Sequence, residues 1–199
     1  MSSLIYIHGF NSSPESTKAK ILTESLAALG MNITRFLVPD LNHDPELAMS
    51  SLADLIETAQ AQGEQVYLIG SSLGGFYATY LAEQYGLKAV LINPAIKPYE
   101  LLKDYLGLNK NIYTGQEYQV TEAHMDQLKR FDIDVVDRPE NYLLLVQTND
   151  EVLDYTQATN KFWQSPSVIE YGGNHSFEAF QSKLALIGQF FKTSYREAI

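Results

Sequence analysis

The sequence predicts an α/β fold in which a mainly parallel sheet of about six strands carries helices on both faces. Short apolar runs typical of buried strands alternate along the chain with longer stretches whose apolar residues recur every three or four positions, as in amphipathic helices. Parallel strands need such crossover helices, which then cover both faces of the sheet. The chain has 199 residues, 45% of them hydrophobic, so we predict a single domain over residues 1–199 with a sizeable core.

The composition excludes several classes of protein. A formal net charge of -10 repels polyanions, so neither nucleic acid nor an anionic membrane surface is expected as a partner. The chain contains no cysteine, which excludes disulfides, thiolate metal sites and a cysteine nucleophile. The first residues have no signal-peptide pattern and no apolar run is long enough to span a bilayer, so a cytoplasmic location is expected.

The first part of the chain predicts two strands separated by a helix. Residues 4–8 and 33–38 are the strand candidates, since both are short and rich in apolar side chains. Ser12 and Glu15 have the spacing of a capping box, which predicts that the helix begins there. Gly30 is suited to end this helix, because glycine readily adopts the left-handed conformation found just after helices.

The second helix is expected to begin at Asp44 and to end at Gly63, because these residue types favour helix starts and stops. Four more strands are then predicted wherever a short apolar run recurs. They lie at residues 66–69, 88–93, 142–147 and 168–171. A helix is expected after the first, third and fourth of them, which continues the alternation to the end of the chain.

The turn after the third predicted strand carries the motif that points to a chemistry. Residues 70–75 meet the G-x-S-x-G pattern in one register only, with Ser72 in the third position. A residue that turns a strand sharply into a helix is held in a strained conformation, and its side chain projects clear of the sheet. The residues on either side of it must be small, because the backbones of the strand before the turn and of the helix after it approach closely. The alternative is a glycine-rich turn in some other α/β protein.

Residues 95–141 interrupt the regular alternation of strands and helices. Two short helical patterns lie within them, near residues 98–106 and 121–131. We interpret this segment as a lid or cap insertion over the carboxyl edge of the sheet, because long excursions in compact domains often have that role. Its tyrosines, including Tyr99 and Tyr105, are candidate substrate contacts for an apolar or amphipathic acyl group. The alternative is a helical crossover with a long surface loop.

A serine nucleophile needs a base within hydrogen-bond reach, and the base needs a carboxylate to fix its tautomer. In a parallel sheet, reactive side chains collect where strands end at the carboxyl edge. His175 follows the last predicted strand in a Gly-Gly turn and is the candidate base for Ser72. His8 also follows a strand, but it precedes Gly9 and is assigned to shaping that loop.

Asp150 is the candidate acid, because it lies three residues beyond a strand that ends at Gln147. Glu151 and Asp154 are alternatives, and Asp150 is also suited to cap the next helix. The chain order Ser, Asp, His is that of the α/β-hydrolases and differs from both protease orders.

Four segments together resemble the α/β-hydrolase superfamily and, more closely, small bacterial esterases of the YqiA type. The segments are residues 5–10, 70–75, 147–152 and 173–177. The resemblance implies hydrolysis of carboxylic esters or thioesters with no metal ion or organic cofactor. It also implies an oxyanion hole formed by the backbone N–H groups of Phe10 and Leu73. Relative to the full superfamily pattern, the chain starts at what would be the third strand, which leaves six strands.

The expected partner is therefore a small-molecule acyl ester or thioester, and the protein is expected to be a monomer or a homodimer. Two other functions remain open at this stage. A hydrolase-fold protein can be a binding module without catalysis, and the same triad can serve a peptidase or a C–C bond hydrolase, because fold and triad do not fix the substrate.

Overall fold

The computed structural model describes residues 1–193 of the chain. In chain order the strands are β1 (Ser2–Ile7), β2 (Arg35–Leu37), β3 (Gln65–Ser71), β4 (Lys88–Ile92), β5 (Gly107–Lys110), β6 (Glu117–Val120), β7 (Tyr142–Gln147) and β8 (Ser167–Glu170). The α-helices are α1 (Thr17–Ser25), α2 (Pro45–Ala61), α3 (Leu73–Tyr85), α4 (Pro98–Leu101), α5 (Glu122–Arg130), α6 (Tyr155–Lys161) and α7 (Leu184–Lys192). Short 3-10 helices cover Leu26–Leu29, Leu102–Tyr105, Pro139–Asn141 and Phe180–Lys183. In this described part of the chain, no helix combines the length and the apolar character that crossing a membrane requires.

Six strands form one sheet in the order β2-β1-β3-β4-β7-β8, and each neighbouring pair runs parallel. Two hydrophobic cores lie on its opposite faces. Helices α2, α3, α5 and α6 contribute to one core, and α1 and α7 contribute to the other. The predicted six-stranded parallel sheet with helices on both faces is confirmed.

Strand β1 shows why the strands read as continuous apolar runs. Ile5 and Ile7 belong to the core on one face, whereas Leu4 and Tyr6 belong to the core on the other. This division follows from the two-residue repeat of a strand. All four side chains are at most 1% exposed, so a polar residue at any of these positions would be buried without water.

The order in which successive strands are added to the sheet reverses at β1. It moves outward from β1 to β2 and then returns to β3 on the other side of β1, which places Ile7 beside Gly70 in the register. In open parallel sheets, ligands bind in the crevice at such a point, outside the carboxyl ends of the strands. The loops after β1 and β3 begin with His8 and Ser72, so both of these residues lie at the crevice.

The start of the first helix differs from the prediction. Helix α1 begins at Thr17, with Ser16 as its N-cap, so the proposed capping box of Ser12 and Glu15 is wrong. The Ser13 hydroxyl instead accepts a hydrogen bond from the Glu15 amide at 3.0 Å. This local bond stabilises a turn ahead of the helix, so the helix begins later in the chain than predicted.

The second helix begins as predicted, because the Asp44 carboxylate accepts hydrogen bonds from the Glu46 and Leu47 amides at 2.9 and 3.1 Å. Two of the four unpaired amides at a helix start are thereby satisfied.

The segment 95–141 contains the two predicted helical stretches, as α4 with its 3-10 extension and as α5. Between them lies an antiparallel hairpin, β5–β6, which the sequence analysis missed. The hairpin region contacts the loop after β1. Asn111 donates to the Ser12 carbonyl at 2.9 Å, and Tyr118 donates to the Asn11 side chain.

Helix α3 approaches both β1 and β3 so closely that only glycine fits at the points of contact. A Cβ atom built on Gly74 would lie 2.0 Å from the Ile7 carbonyl oxygen, and one on Gly70 would lie 2.3 Å from the Gly74 carbonyl oxygen. These distances are far below van der Waals contact, and backbone atoms cannot rotate away as a side chain can. The small residues of the motif therefore fix where α3 begins.

We expect Gly74→Ala to lower the free energy of unfolding by about 3 kcal/mol, because the added methyl group has to displace backbone. Gly63→Ala is the control, since its Cβ would meet nothing within 4 Å and only its φ of +71 is unfavourable, which costs about 1 kcal/mol. Urea denaturation of both variants measures the difference. Equal losses in the two variants would contradict the close approach.

Candidate active site

Ser72 occupies a strained backbone position between β3 and α3. Its φ is 56° and its ψ is −122°, a region that a β-carbon disfavours. Hydrogen bonds over-determine this conformation. The Ser72 amide donates to the Ile92 carbonyl at 3.1 Å, and the Ser72 carbonyl accepts from the Gly75 and Ala95 amides at 2.9 and 3.0 Å. The side chain is thereby held above the carboxyl ends of β3 and β4.

The imidazole of His175 reaches this serine from the loop after β8. Its Nε2 atom lies 3.1 Å from Ser72 Oγ. Its side chain is 23% exposed, so the ring can exchange protons with a bound molecule. The His175 amide donates to the Glu151 carboxylate at 2.9 Å, which ties the histidine loop to the loop after β7.

The carboxylate of Asp150 lies on the other side of the same ring. Its two oxygens are 2.8 and 3.0 Å from His175 Nδ1, so Nδ1 carries the proton and donates to Asp150 while Nε2 is left to face Ser72. The amides of Val152 and Leu153 donate to Asp150 Oδ1 at 2.9 and 2.8 Å. The Asp150 side chain is 1% exposed, and these donors offset the cost of burying its charge.

Three carboxylates follow β7, and the structure gives each a different position. Only Asp150 among them contacts the imidazole. Glu151 accepts the backbone N–H of His175, and this bond holds the pKa of Glu151 below its ordinary value. Asp154 caps α6 by accepting from the Thr156 amide at 2.9 Å. The helix-capping role considered for Asp150 therefore belongs to Asp154.

Asn93, at the end of β4, positions the histidine loop and was missed by the sequence analysis. Its side-chain amide donates to the Asn174 and His175 carbonyls at 3.0 and 3.1 Å, and its Oδ1 accepts the Gln147 amide at 3.0 Å. It is 2% exposed and has a φ of 39°. Asn93 thus joins the ends of β4, β7 and the histidine loop through one buried group.

Gln147, the last residue of β7, also positions the histidine loop and was likewise missed by the sequence analysis. Its Oε1 accepts from the amides of Asn174 and Glu178 at 3.1 and 2.8 Å. Its Nε2 donates to the Glu170 carboxylate at 2.9 Å and to the Glu178 carbonyl at 3.0 Å. The signal that could have found both residues is a polar amide at the end of an apolar strand, where burial demands partners.

The two candidate oxyanion donors lie beside the serine. Phe10 and Leu73 line the same cleft as Ser72 and His175. Gly9 brings its backbone against the nucleophile, since a Cβ built on it would lie 3.1 Å from Ser72 Cβ. In the described part of the chain, neither the Phe10 nor the Leu73 amide donates a hydrogen bond to another protein atom. Both amides can therefore serve an oxygen of a bound molecule.

His8 supports the loop that carries Phe10. The ring is 4% exposed, and burial lowers its pKa below the ordinary value. Its Nε2 accepts from the Leu41 amide at 3.3 Å, so the proton lies on Nδ1, which faces the Gly9 carbonyl at 3.0 Å. The neutral ring thus fixes the backbone on which the candidate oxyanion donor depends.

A cleft of about 470 Å³ opens at Ser72 and His175 toward α4. We call it the apolar cleft after the apolar part of its lining, which includes Phe10, Leu73, Ala95, Pro98, Leu102 and Tyr105. Tyr105 stacks edge-on against Phe10 at 5.3 Å between ring centroids. Tyr99 does not line this cleft, because its hydroxyl donates to Asp132 at 2.7 Å and its ring packs on the core. Among residues 1–193, no cluster of three or more His, Asp or Glu side chains is arranged to hold a metal ion.

The sheet order, the strained serine after β3, and the carboxylate and imidazole after β7 and β8 define a protein with the α/β-hydrolase fold. The chain belongs to the family described as "Uncharacterised protein family (UPF0227)", whose sequence profile matches residues 3–192. A UPF0227 protein of Vibrio parahaemolyticus is 20% identical over 192 residues, which cover 96% of this chain and 99% of that relative.

Solved structures share the fold. A structure of Est1E from Butyrivibrio proteoclasticus with ferulic acid bound has a TM-score of 0.70 and 14% identity, over 96% of this chain and 88% of that one. A monoacylglycerol lipase of Paleococcus ferrophilus has a TM-score of 0.65 and 16% identity, over 94% of each chain. The predicted resemblance to the α/β-hydrolase superfamily is confirmed.

We expect Asn93→Asp to lower the free energy of unfolding by about 3 kcal/mol at pH 8, because a buried carboxylate would replace a donor to two carbonyl oxygens. Burial and these oxygens raise the pKa of the new carboxyl. The loss of unfolding free energy is therefore full at pH values above that pKa. It becomes smaller as the pH falls through the pKa, since the protonated carboxyl group can donate a hydrogen bond.

Urea denaturation of Asn93→Asp at pH 5 and pH 8 measures this effect against the wild-type protein. Asn42→Asp is the matched control, because the exposed Asn42 side chain acts only as an acceptor, from the Asp44 amide. A loss in Asn93→Asp that is as small as in the control, or that grows toward acid pH, would contradict the role given to Asn93.

Proposed function

We propose that this protein is a serine hydrolase that cleaves carboxylic esters or acyl thioesters, with Ser72 as nucleophile, His175 as general base and Asp150 as the orienting acid. One observation carries the proposal. The Ser72 hydroxyl lies 3.1 Å from an imidazole nitrogen whose ring partner nitrogen is 2.8 Å from a buried carboxylate. A serine activated in this way is the requirement for acyl transfer at neutral pH.

In the first step, Ser72 Oγ forms a bond to the acyl carbon while His175 Nε2 takes the hydroxyl proton. The carbonyl π electrons move to the oxygen, where the amides of Phe10 and Leu73 stabilise the negative charge. The tetrahedral intermediate then collapses and breaks the bond to the leaving group, which receives the proton from Nε2. The product is an acyl-enzyme on Ser72.

In the second step, His175 removes a proton from water, and the water oxygen attacks the acyl carbon. Collapse of the second intermediate returns the proton to Ser72 and releases the acid. Asp150 remains ionised throughout and stabilises the imidazolium that forms twice in each cycle. The hydrogen bonds from Val152 and Leu153 restrain the carboxylate in the geometry that this task needs.

The apolar cleft is suited to the acyl group. Leu102 is buried, and Tyr105 is half-exposed at the mouth. Tyr105 is therefore retained as a proposed substrate contact. Tyr99 is not proposed as one, because it does not line the cleft. The similar proteins favour the same reaction class, since one is named a monoacylglycerol lipase and the other holds ferulic acid, a carboxylic acid.

A binding module without catalysis and a peptidase or C–C bond hydrolase are the other functions for which this arrangement is suited. The first is disfavoured because a binding role needs no hydrogen-bonded Ser-His-Asp chain. The second differs only in substrate, so turnover of esters, thioesters, peptides and β-diketones by the same protein decides it. A cytoplasmic location and a monomeric or homodimeric state remain predictions.

We expect Ser72→Ala to lower kcat/KM for p-nitrophenyl acetate by about 10⁴-fold or more without loss of fold, because the attacking oxygen is gone. It should also abolish labelling by a fluorophosphonate probe, which reacts only with an activated serine. Ser71→Ala is the matched control, since it removes the neighbouring hydroxyl of the same motif and should keep labelling and most activity. Full turnover by Ser72→Ala would disprove the proposal.

We expect Asp150→Asn to lower kcat for the same ester by about 10⁴-fold, because an amide can hold the wrong imidazole tautomer. Glu151→Gln is the control and should lose at most about tenfold, since its amide oxygen can still accept the His175 N–H. Steady-state kinetics of the two variants measure the contrast. A larger loss in Glu151→Gln than in Asp150→Asn would reassign the acid.

A further inference from the structure

A second cleft also reaches the Ser72–His175 pair, and no residue of α4 lines it. It measures about 500 Å³ and lies between the histidine loop and the first turn of α1. We call it the α1 cleft, and its polar lining includes Ser12, Ser16, Lys18, Asn174, Ser176 and Gln181. A molecule attached to Ser72 can thus extend in two directions, and of these two clefts only the α1 cleft is lined by a lysine.

Lys18 is the lysine of this cleft, and its ammonium has unused hydrogen-bonding capacity. It donates to the Ser176 carbonyl at 2.9 Å, which leaves two of its three donors. Within residues 1–193, no carboxylate lies within ion-pair distance of it, and its attraction to Asp150 acts over a longer range. Burial disfavours the charged form of Lys18 and lowers its pKa to about 8. The ammonium is therefore still the main form at pH 7.

Two other partly buried lysines of this protein have carboxylate partners, unlike Lys18. Lys161 pairs with Asp132 at 3.3 Å, and Lys183 pairs with Glu170. A desolvated cation is normally kept by such a partner. The partner missing at Lys18 is one that a bound molecule can supply.

A second donor lies close by. Ser16 is 6% exposed and lines the same cleft. Its hydroxyl neither caps α1 nor makes a regular hydrogen bond within the described residues, although it interacts with the Tyr6 phenol. Glu178 at the rim is exposed and accepts from Asn174 at 2.9 Å, so its charge is directed to that amide and to water.

We propose that Lys18 binds a carboxylate or another small anionic group on the leaving-group side of the substrate, with Ser16 as an additional donor. This inference rests on the proposed serine hydrolase function and adds the charge of the substrate to it. Lys18 is a specificity residue here, since it contacts the bound anion and none of the reacting atoms.

The assignment to the leaving group follows from the position of His175. The leaving-group oxygen takes its proton from His175 Nε2, so the group attached to it lies along the histidine loop. That loop, from Asn174 to Ser176, lines the α1 cleft. Of that loop only His175 lines the apolar cleft, whose other lining residues include Leu73 and Leu102, which suits the acyl chain.

The test compares two aryl butyrates whose phenol carries either a carboxylate or the isosteric carboxamide at the same ring position. We expect the wild-type protein to prefer the carboxylate ester, and Lys18→Met to reduce this preference by roughly tenfold to a hundredfold. Lys18→Arg retains the charge and should retain much of the preference. Lys20→Met is the matched control on the same helix, because Lys20 is exposed and pairs with Glu15 at 3.4 Å.

The outcomes separate the two proposals. If the wild-type protein hydrolyses neither ester, the proposed function fails. If it hydrolyses both but Lys18→Met lowers kcat/KM equally for the two, Lys18 only tethers the histidine loop through Ser176 and the present inference is overturned. Phenyl esters of succinate and succinamate place the same pair of groups on the acyl side, and a Lys18-dependent preference there would overturn the assignment to the leaving group.

Discussion

The strained backbone of Ser72 is the constraint on which the rest of the structure depends. A positive φ at a residue with a side chain costs roughly 1–2 kcal/mol, so the surroundings must impose it. The Ile92 carbonyl and the Ala95 amide supply hydrogen bonds to the serine backbone, while Gly74 lets α3 lie against β1. The order β1-β3-β4 is thus needed for the serine geometry as well as for the core.

The imidazole and the carboxylate are positioned by a different means, because they stand on loops. Loops are generally more mobile than strands, yet His175 and Asp150 have to meet within hydrogen-bond distance. The buried amides of Asn93 and Gln147 provide the rigidity, since together they bind the backbone on both sides of the histidine. Each is fully supplied with partners, which is the condition under which buried polar groups stabilise a single arrangement.

Sequence reasoning succeeded where the signal is local. The strand, turn and helix around Ser72 follow from neighbouring residues, and so does the Asp44 cap of α2. It did not decide between Asp150 and its neighbours Glu151 and Asp154 as the acid, because only the folded loop determines which carboxylate faces the imidazole. Asn93 was missed because its partners lie 54 to 82 positions away. The β5–β6 hairpin was missed because its strands are four residues each and half-exposed.

The charge of the whole protein and the charge of the site have opposite effects on an anionic substrate. The formal net charge of -10 repels anions at long range, but physiological salt screens such fields within about 8 Å. Inside the α1 cleft, Lys18 is partly buried, so its attraction for a bound anion is screened less than that between exposed charges. Binding is therefore governed by the local cation, whereas the global charge slows the encounter. A negative net charge is in this way compatible with the proposed preference for an anionic ester.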